Sequence, residues 1–381
     1  MASHENWDKV LDYANRIRDG RKIACKEQKQ MVSRFFKDLE NPDYEIDHYA
    51  PEFCIKVIES TLCHQQGEAI DGTPMRGKPF ILMDFQRFVI YNLVGFKLKG
   101  TGIVRFHEAL LFWPRKNAKS SFAAALCWSL SLLYKDSGAK CYIASGALMQ
   151  SLEAFNFLDY NIDRMGEKQV RGKKGGLVKV IDNNNEHSIE CNIGEGSFFI
   201  RALAANPDAQ DSLNCSLAIA DELHCFKQPK QYNLFKEAMK AYTNKLIIGI
   251  STAGDNAQGF LGQRLKYCRK VLDGTVKDEQ YFIFIACADE DENGDIDYTN
   301  PVIHEMANPG YGITIRPQEI LNDSLQALND PQQRKDFLAK SLNRFTNALK
   351  AYFDIDEFRK TYKPYRDDQD HQFNQSLAQP L

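Results

Sequence analysis

The segment FWPRKNAKSS, residues 112–121, has the residue types of a phosphate-binding loop but not its glycines. In the pattern G-x-x-x-x-G-K-[ST], Lys119 takes the lysine position and Ser120 the hydroxyl position, whereas Trp113 and Ala118 stand where glycines are expected. Backbone N–H groups form such a cradle, so a loop without glycine can still bind phosphate if alanine accepts the backbone conformation. Taken alone, the segment fits a basic surface turn equally well.

The sequence on either side of this segment favours the phosphate-binding interpretation. EALLFW predicts a buried strand and SSFAAALCWSLSLLY an alanine- and leucine-rich helix, so the segment lies at a strand-to-helix turn. There a phosphate would meet free N–H groups and the positive end of the helix dipole, Lys119 would reach the β- and γ-phosphates, and Ser120 would hold Mg²⁺. The candidate nucleotide-binding residues of the turn are Arg115, Lys116, Asn117, Ala118, Lys119, Ser120 and Ser121.

A second motif, SLAIADELH, places two acids directly after an apolar run that predicts a buried strand. Asp221 would complete the Mg²⁺ shell, and Glu222 would orient and deprotonate an attacking water. The alternative is a solvated turn at the end of a strand. A third run, LIIGISTAG, predicts another strand closed by Ser251, Thr252 and Gly254, a weak signal by itself.

Composition and patterning suit a soluble globular protein of one large or two ordinary domains. The chain has 381 residues, lacks the order of a signal peptide and contains no apolar run long enough for a membrane span, so we expect it in the cytosol. Its 10 cysteines have no C-x-x-C pair, which favours free thiols. With a net charge of −3, any DNA contact must come from local basic stretches, of which residues 171–176, 227–230 and 264–270 are candidates.

Apolar periodicity divides the chain into helical ends and a strand-rich centre. Residues 7–40 predict two amphipathic helices broken near Gly20. From about residue 80, short buried strands alternate with helices, which predicts a mostly parallel sheet covered on both faces. We predict a peripheral helical arm (1–75), a core (76–300), a helical lid or linker (301–365) and a frayed polar tail (366–381).

With these motifs in this order, the chain resembles the large terminase subunits of tailed bacteriophages, ATP-driven motors that package DNA into proheads. PRKNAKSS resembles that family's arginine-bearing loop, ADELH its acidic motif and ISTAG its coupling motif. KPFILMDFQRFVIYNLVGF resembles the adenine-binding segment, with Gln86 placed to read the adenine edge. The resemblance extends to HEMANPGYGITIRPQEI, to SLNRFTNA and to an N-terminal pattern of Tyr13, Gly20, Arg34 and Asp38.

The resemblance implies an additional-strand P-loop ATPase of the α/β class with Mg²⁺-dependent ATP hydrolysis. Arg115 would join Lys119 on the phosphates, and Ser251, Thr252 and Gly254 would couple hydrolysis to movement. Arg201 is the candidate for an arginine finger that reaches a neighbouring subunit, although a strand arginine paired with an acid is as plausible. The implied partners are double-stranded DNA bound without sequence preference, the portal, the small terminase subunit and a homo-oligomeric ring, in the host cytoplasm and transiently on the prohead.

Family members usually continue into a nuclease domain, and too few residues follow SLNRFTNA here for such a fold. Asp354, Asp356 and Glu357 precede the place where the nuclease begins, and we interpret them as linker charges. We therefore expect a motor domain without cutting activity. Two alternatives are a DExH-type helicase, for which a second motor domain should follow residue 254, and a catalytically inactive remnant or scaffold.

Overall fold

The structure, a computed structural model, describes residues 4–169, 175–204 and 213–346. The end of the proposed lid or linker, the proposed tail and the acids Asp354, Asp356 and Glu357 lie outside the described residues. The proposed boundaries near residues 75 and 300 stay predictions.

The helices follow the apolar periodicity of the sequence. The predicted N-terminal pair is confirmed, and the break between them contains Gly20 at φ +73°, a left-handed conformation that suits glycine. A π-helical turn, residues 91–95, follows α4. The helices are α1 (Glu5–Arg18), α2 (Lys26–Glu40), α3 (Tyr49–Thr61), α4 (Asp84–Ile90), α5 (Lys119–Leu133), α6 (Leu148–Arg164), α7 (Lys230–Ala238), α8 (Phe260–Leu272), α9 (Pro301–Ala307), α10 (Pro317–Asn329) and α11 (Pro331–Lys340).

The strands form one large sheet and a two-stranded ribbon in the described part of the chain. The ribbon pairs β1 (Tyr44–Ile46) with β2 (Phe96–Leu98). The sheet has the order β10-β3-β9-β8-β4-β7-β6-β5. Its strands are β3 (Glu108–Phe112), β4 (Ala139–Ser145), β5 (Val178–Asp182), β6 (His187–Ile193), β7 (Gly196–Ala204), β8 (Leu217–Asp221), β9 (Leu246–Ser251) and β10 (Tyr281–Ile285).

The sheet is parallel from β10 to β7, and β5 and β6 extend it antiparallel at one edge. Each strand of the parallel part lies in an apolar run that predicts a buried strand, namely EALLFW for β3, KCYIASG for β4, GSFFIRALAA for β7, CSLAIADE for β8, NKLIIGISTAG for β9 and EQYFIFIACA for β10. The hairpin of β5 and β6 was not predicted, because its residues alternate in burial and carry polar side chains. The predicted α/β class, a mostly parallel sheet flanked by helices, is confirmed.

Side chains that alternate along the strands supply two separate cores. Ala109 and Leu111 of β3 face the core that contains α5, α6 and the N-terminal helices, whereas Leu110 and Phe112 face the core that contains α7 and α8. Residues of α1 to α3 belong to the first core, so the N-terminal helices pack directly on the sheet layer that holds α5.

The strand order places three loops side by side. β9 lies between β3 and β8, with Phe112 in register with Ser251 and Asp221 in register with Ile250. Because carboxyl ends of parallel strands meet at one edge of a sheet, the three predicted motifs converge there. β9 thus takes the position of the additional strand that the resemblance implies, between the strand before the loop and the strand before the two acids.

The cysteines are the free thiols that the sequence favours. All 10 cysteines are free thiols, and eight are buried, namely Cys25, Cys54, Cys127, Cys141, Cys191, Cys215, Cys268 and Cys287. Among the described residues, we find no helix with the length and apolar character that crossing a membrane requires.

A buried arginine attaches the N-terminal helices to the core. The Arg105 side chain is 1% exposed, contacts the Asp38 carboxylate of α2 and lies 2.6 Å from Glu279 Oε2. Its guanidinium also stacks over Tyr44, 4.0 Å from the ring centroid, and over Phe106. Burial makes this arginine dependent on its acidic partners.

We expect Asp38→Ala to lower the free energy of unfolding by about 3 kcal/mol, because it leaves the buried Arg105 charge with Glu279 as its remaining acidic contact. Urea denaturation measures the change. Glu5→Ala, which removes the partner of Lys9 in an exposed pair, is the control and should change little. Equal effects of the two substitutions would contradict the role of Arg105.

Candidate active site

The loop between β3 and α5 adopts left-handed backbone conformations without glycine. Lys116 has φ +65° and Ala118 has φ +55°, the latter as the N-cap of α5. A residue other than glycine in this conformation costs about 1–2 kcal/mol more than glycine would. Alanine at position 118 therefore makes the loop conformation less stable than glycine would. Trp113, at the other glycine position, does not have a positive φ and is completely buried, so glycine is not required there.

Lys119 is the central cation of the site. Its side chain is 6% exposed, and its Nζ lies 4.0 Å from Glu222 Oε1 without a hydrogen-bond partner among the described residues. Burial lowers the pKa of Lys119, and the carboxylates of Glu222 and Asp221 oppose that shift. A buried ammonium with unused donors fits an anionic ligand.

The two acids after β8 differ in environment although they are neighbours in sequence. Burial and the charge of Glu222 raise the pKa of Asp221 to about 7, with Lys119 opposing. Burial would also raise the pKa of Glu222, but the contacts with His224 and Lys119 outweigh it and hold the pKa below its usual value. Glu222 has φ +52°, and its N–H donates to Asp221 Oδ1 at 2.9 Å. Glu222 is therefore readily ionised, whereas ionisation of Asp221 needs a nearby cation.

Ser120 faces an acid that the sequence did not point to. Its Oγ donates to Glu153 Oε2 of α6 at 3.3 Å, and the charge of Glu153 also contributes to the raised pKa of Asp221. Ser120, Asp221 and Glu153 thus supply hydroxyl and carboxylate oxygens, the donor type that Mg²⁺ prefers. Glu153 lies on an exposed helix face, where no motif distinguishes it from other surface acids.

His224 connects Glu222 with the loop after β9. Its Nδ1 lies 3.1 Å from Glu222 Oε2, at ion-pair distance, and 3.2 Å from Ser251 Oγ. Burial would lower the pKa of His224, but contacts with Cys225 and Glu222 raise it to about 9. A Cβ on Gly254 would lie 2.9 Å from the Cβ of His224, so this glycine permits the close approach.

Thr252 continues the connection to the loop between β3 and α5. Its Oγ1 donates to the Trp113 carbonyl oxygen at 3.2 Å, and the Trp113 N–H donates to the Ser251 carbonyl oxygen at 3.3 Å. Ser251 and Thr252 are both completely buried. Hydrogen bonds therefore join Trp113, Thr252, Ser251 and His224 in a continuous path that ends beside Glu222.

The positions of Gln86 and Arg201 give less direct support to their predicted roles. Gln86 is buried; its Oε1 accepts the Met83 N–H, while its Nε2 has no partner in the described ranges. The neighbouring Phe85 ring lies 5.4 Å from the Trp113 ring, so α4 borders the loop. Arg201 pairs in register with Tyr142 inside the sheet, on the face of Phe199 and Leu203 and opposite α5. Both proposed roles stay predictions.

The basic stretches are only partly available for contact with DNA. Residues 171–174 of the first stretch lie outside the described residues. In the third, Arg264 contacts Glu108 and the Tyr232 ring, and Arg269 pairs with Glu27. These two arginines serve intramolecular contacts, and the stretch is weaker as a candidate than its sequence suggests.

The family model of the terminase large subunit ATPase domain matches residues 84–270. Residues 84–270 belong to the ATPase domain family of terminase large subunits. These residues include the loop between β3 and α5, both acids and the Ser-Thr motif after β9. The resemblance stated from the motifs is therefore confirmed.

Two known proteins are similar over part of this chain. YmfN of Escherichia coli strain K12 is 28% identical over 198 residues, which cover 47% of this chain and 43% of that protein. The crystal structure of the HK97 bacteriophage large terminase has a TM-score of 0.59 at 19% identity and covers 77% of this chain and 55% of that one. The chain thus spans about half the length of these relatives. The structural similarity supports the fold.

We expect Asp221→Asn to stabilise the metal-free protein more at pH 8 than at pH 5. The folded pKa of about 7 lies above the value of the unfolded chain, so the ionised carboxylate destabilises the fold increasingly as pH rises towards 7. Thermal melting in the presence of EDTA measures the difference. The exposed Asp323→Asn is the matched control, and an equal shift of the Asp221 variant at both pH values would contradict the prediction.

Proposed function

We propose that this domain hydrolyses ATP with Mg²⁺ and that hydrolysis drives double-stranded DNA into a prohead. The buried Lys119 ammonium carries the proposal: it lies at the N-terminus of a helix, faces two acids and has no hydrogen-bond partner in the described part of the chain. A triphosphate supplies the oxygens that such a group needs.

The loop and the start of α5 would hold the phosphates. Lys119 would contact the β- and γ-phosphates, and backbone N–H groups of residues 116–121 would surround them. Arg115 is exposed beside the loop and would add a second cation. Gln86, whose buried Nε2 has no hydrogen-bond partner among the described residues, would donate to the adenine ring.

Ser120 and Asp221 would hold Mg²⁺, with Glu153 at the edge of its shell. A magnesium ion there supplies positive charge that neutralises phosphate oxygens. The raised pKa of Asp221 fits a site in which a cation replaces the proton. This donor set agrees with the preference of Mg²⁺ for hard oxygens.

Glu222 would act as the base that orients and deprotonates water. Its lowered pKa keeps it ionised at neutral pH, and the contact with His224 fixes its direction. His224 also contacts Ser251, so a change in the position of Glu222 would reach Thr252 and the loop at Trp113. We propose that Ser251, Thr252 and Gly254 couple hydrolysis to movement by this route.

We further propose that the active form is a homo-oligomeric ring that works with the portal, the small terminase subunit and duplex DNA in the host cytoplasm. The family membership of residues 84–270 supports this assignment. Translocation along any sequence requires a grip on the phosphate backbone, so DNA binding should weaken steeply with salt and not depend on sequence.

We expect Glu222→Gln to lower the ATP hydrolysis rate at least about 100-fold while it retains binding of a fluorescent ATP analogue, because the amide cannot accept the proton of water. Phosphate release and fluorescence titration measure the two quantities. Glu237→Gln, a surface carboxylate paired with Lys240, is the control and should hydrolyse ATP at the wild-type rate. If Glu222→Gln hydrolyses ATP at the wild-type rate, Glu222 is not the base.

If Arg201 completes a neighbouring site, Arg201→Ala and Glu222→Gln should each be nearly inactive, yet mixing them should restore part of the ATPase activity. In a mixed ring some interfaces combine an intact Glu222 with an intact Arg201. Activity should also rise more than linearly with protein concentration. If Arg201→Ala is active, Arg201 is not the arginine that completes a neighbouring site. The same conclusion follows if the mixed subunits assemble but remain inactive.

A further inference from the structure

Asn117, a residue of the phosphate-binding loop, connects the loop to a segment outside it. Asn117 is completely buried, and its Nδ2 donates to the carbonyl oxygen of Arg115 at 3.0 Å and to Asn308 Oδ1 at 2.9 Å. Its Oδ1 accepts the Gly310 N–H at 2.9 Å. One side chain therefore ties the loop to the turn after α9.

Asn308 extends this contact towards the end of α11. It is 1% exposed, and its Nδ2 donates to the carbonyl oxygens of His304 and Ser341, both at 2.9 Å. The approach at Gly310 is tight, because an added Cβ would lie 3.0 Å from Asn117 Oδ1. The turn therefore leaves little freedom to the side chain that it contacts.

Lys340, the last residue of α11, and Asn343 contact the ends of three neighbouring strands. The Lys340 carbonyl oxygen accepts the Arg115 N–H at 3.0 Å, after β3. Asn343 accepts the Ala253 N–H, after β9, and donates to the Ala286 carbonyl oxygen, after β10, both at 2.8 Å. Because β10, β3 and β9 are adjacent, a four-residue segment is fixed to the whole edge that holds the loop.

These contacts surround the part of the loop whose backbone is least favourable. Lys116 and Ala118, on either side of Asn117, are the two residues of the loop with positive φ. Glycine adopts such angles at little cost, whereas alanine and lysine adopt them only at a cost in free energy. An external hold on Asn117 is a physical means of keeping its two neighbours in place.

We propose that Asn308 and Gly310 clamp Asn117 and so hold the glycine-poor loop in its phosphate-binding conformation. Asn308 is a positioning residue, since it acts through Asn117. The proposal rests on the proposed nucleotide binding for its consequence: docking of the helical segment α9 to α11 and nucleotide affinity become linked. Release of the turn would weaken phosphate binding, and bound phosphate would favour the docked turn.

The test is a double-mutant cycle read by titration with a fluorescent ATP analogue. Asn308→Ala should weaken binding about ten-fold in the wild-type background but only about two-fold in the Ala118→Gly background, because glycine accepts φ +55° without the clamp. Asn329→Ala, an exposed asparagine of α10, is the matched control and should leave affinity unchanged.

Hydrogen exchange of the nucleotide-free chain gives an independent reading. Asn308→Ala should speed exchange of the amides of residues 115–118, and Asn308→Ser should do so less, because the serine hydroxyl keeps a hydrogen-bonding group near Asn117 and buries no charge. The milder variant also serves if Asn308→Ala does not fold.

Unchanged exchange at 115–118, or equal loss of affinity in both backgrounds, would overturn the clamp. A wild-type chain that does not bind the analogue would overturn the proposed function, and the exchange data would still decide whether the clamp exists.

Discussion

The buried ammonium of Lys119 is the constraint on which the rest of the site depends. A charge removed from water needs compensation, and here the nearest acid is 4.0 Å away, with no hydrogen bond to the Nζ in the described residues. The fold must therefore bring acids to it from elsewhere in the sequence. It does so through strand order, because β8 delivers Asp221 and Glu222 to the sheet edge where β3 delivers the loop.

This arrangement separates two acids that sequence alone would treat alike. Asp221 is the more deeply buried, and the charge of Glu222 opposes its ionisation. Ionisation of Glu222 is instead favoured by His224 and Lys119. The left-handed backbone at Glu222 turns the chain at the end of β8, so that the two neighbours meet different surroundings. Hydrogen bonds through Ser251 and Thr252 then connect this corner to the loop at Trp113.

The site is also supported from outside the central sheet. The loop has two residues in left-handed conformations, and on the side of the C-terminal helices Asn117 donates to Asn308 Oδ1 and accepts from the Gly310 N–H. On the N-terminal side, the helices α1 to α3 share a core with α5, and Arg105 ties α2 to the same body. Helices from both ends of the described chain thus contribute to one rigid setting.

Local patterns were enough to identify the strands of the parallel part of the sheet, the two N-terminal helices, Lys119, Ser120 and the two acids. Buried parallel strands appear as continuous apolar runs, and a lysine before a hydroxyl at a strand-to-helix turn has a specific chemistry, so both are readable without a structure. The hairpin β5–β6 was not readable, since its alternating polar residues resemble exposed loops. Only the tertiary structure could place β9 between β3 and β8, bring Glu153 to Ser120, and join Asn117 to Asn308 across 191 positions of sequence. Those contacts depend on strand order and helix docking, which no local pattern encodes.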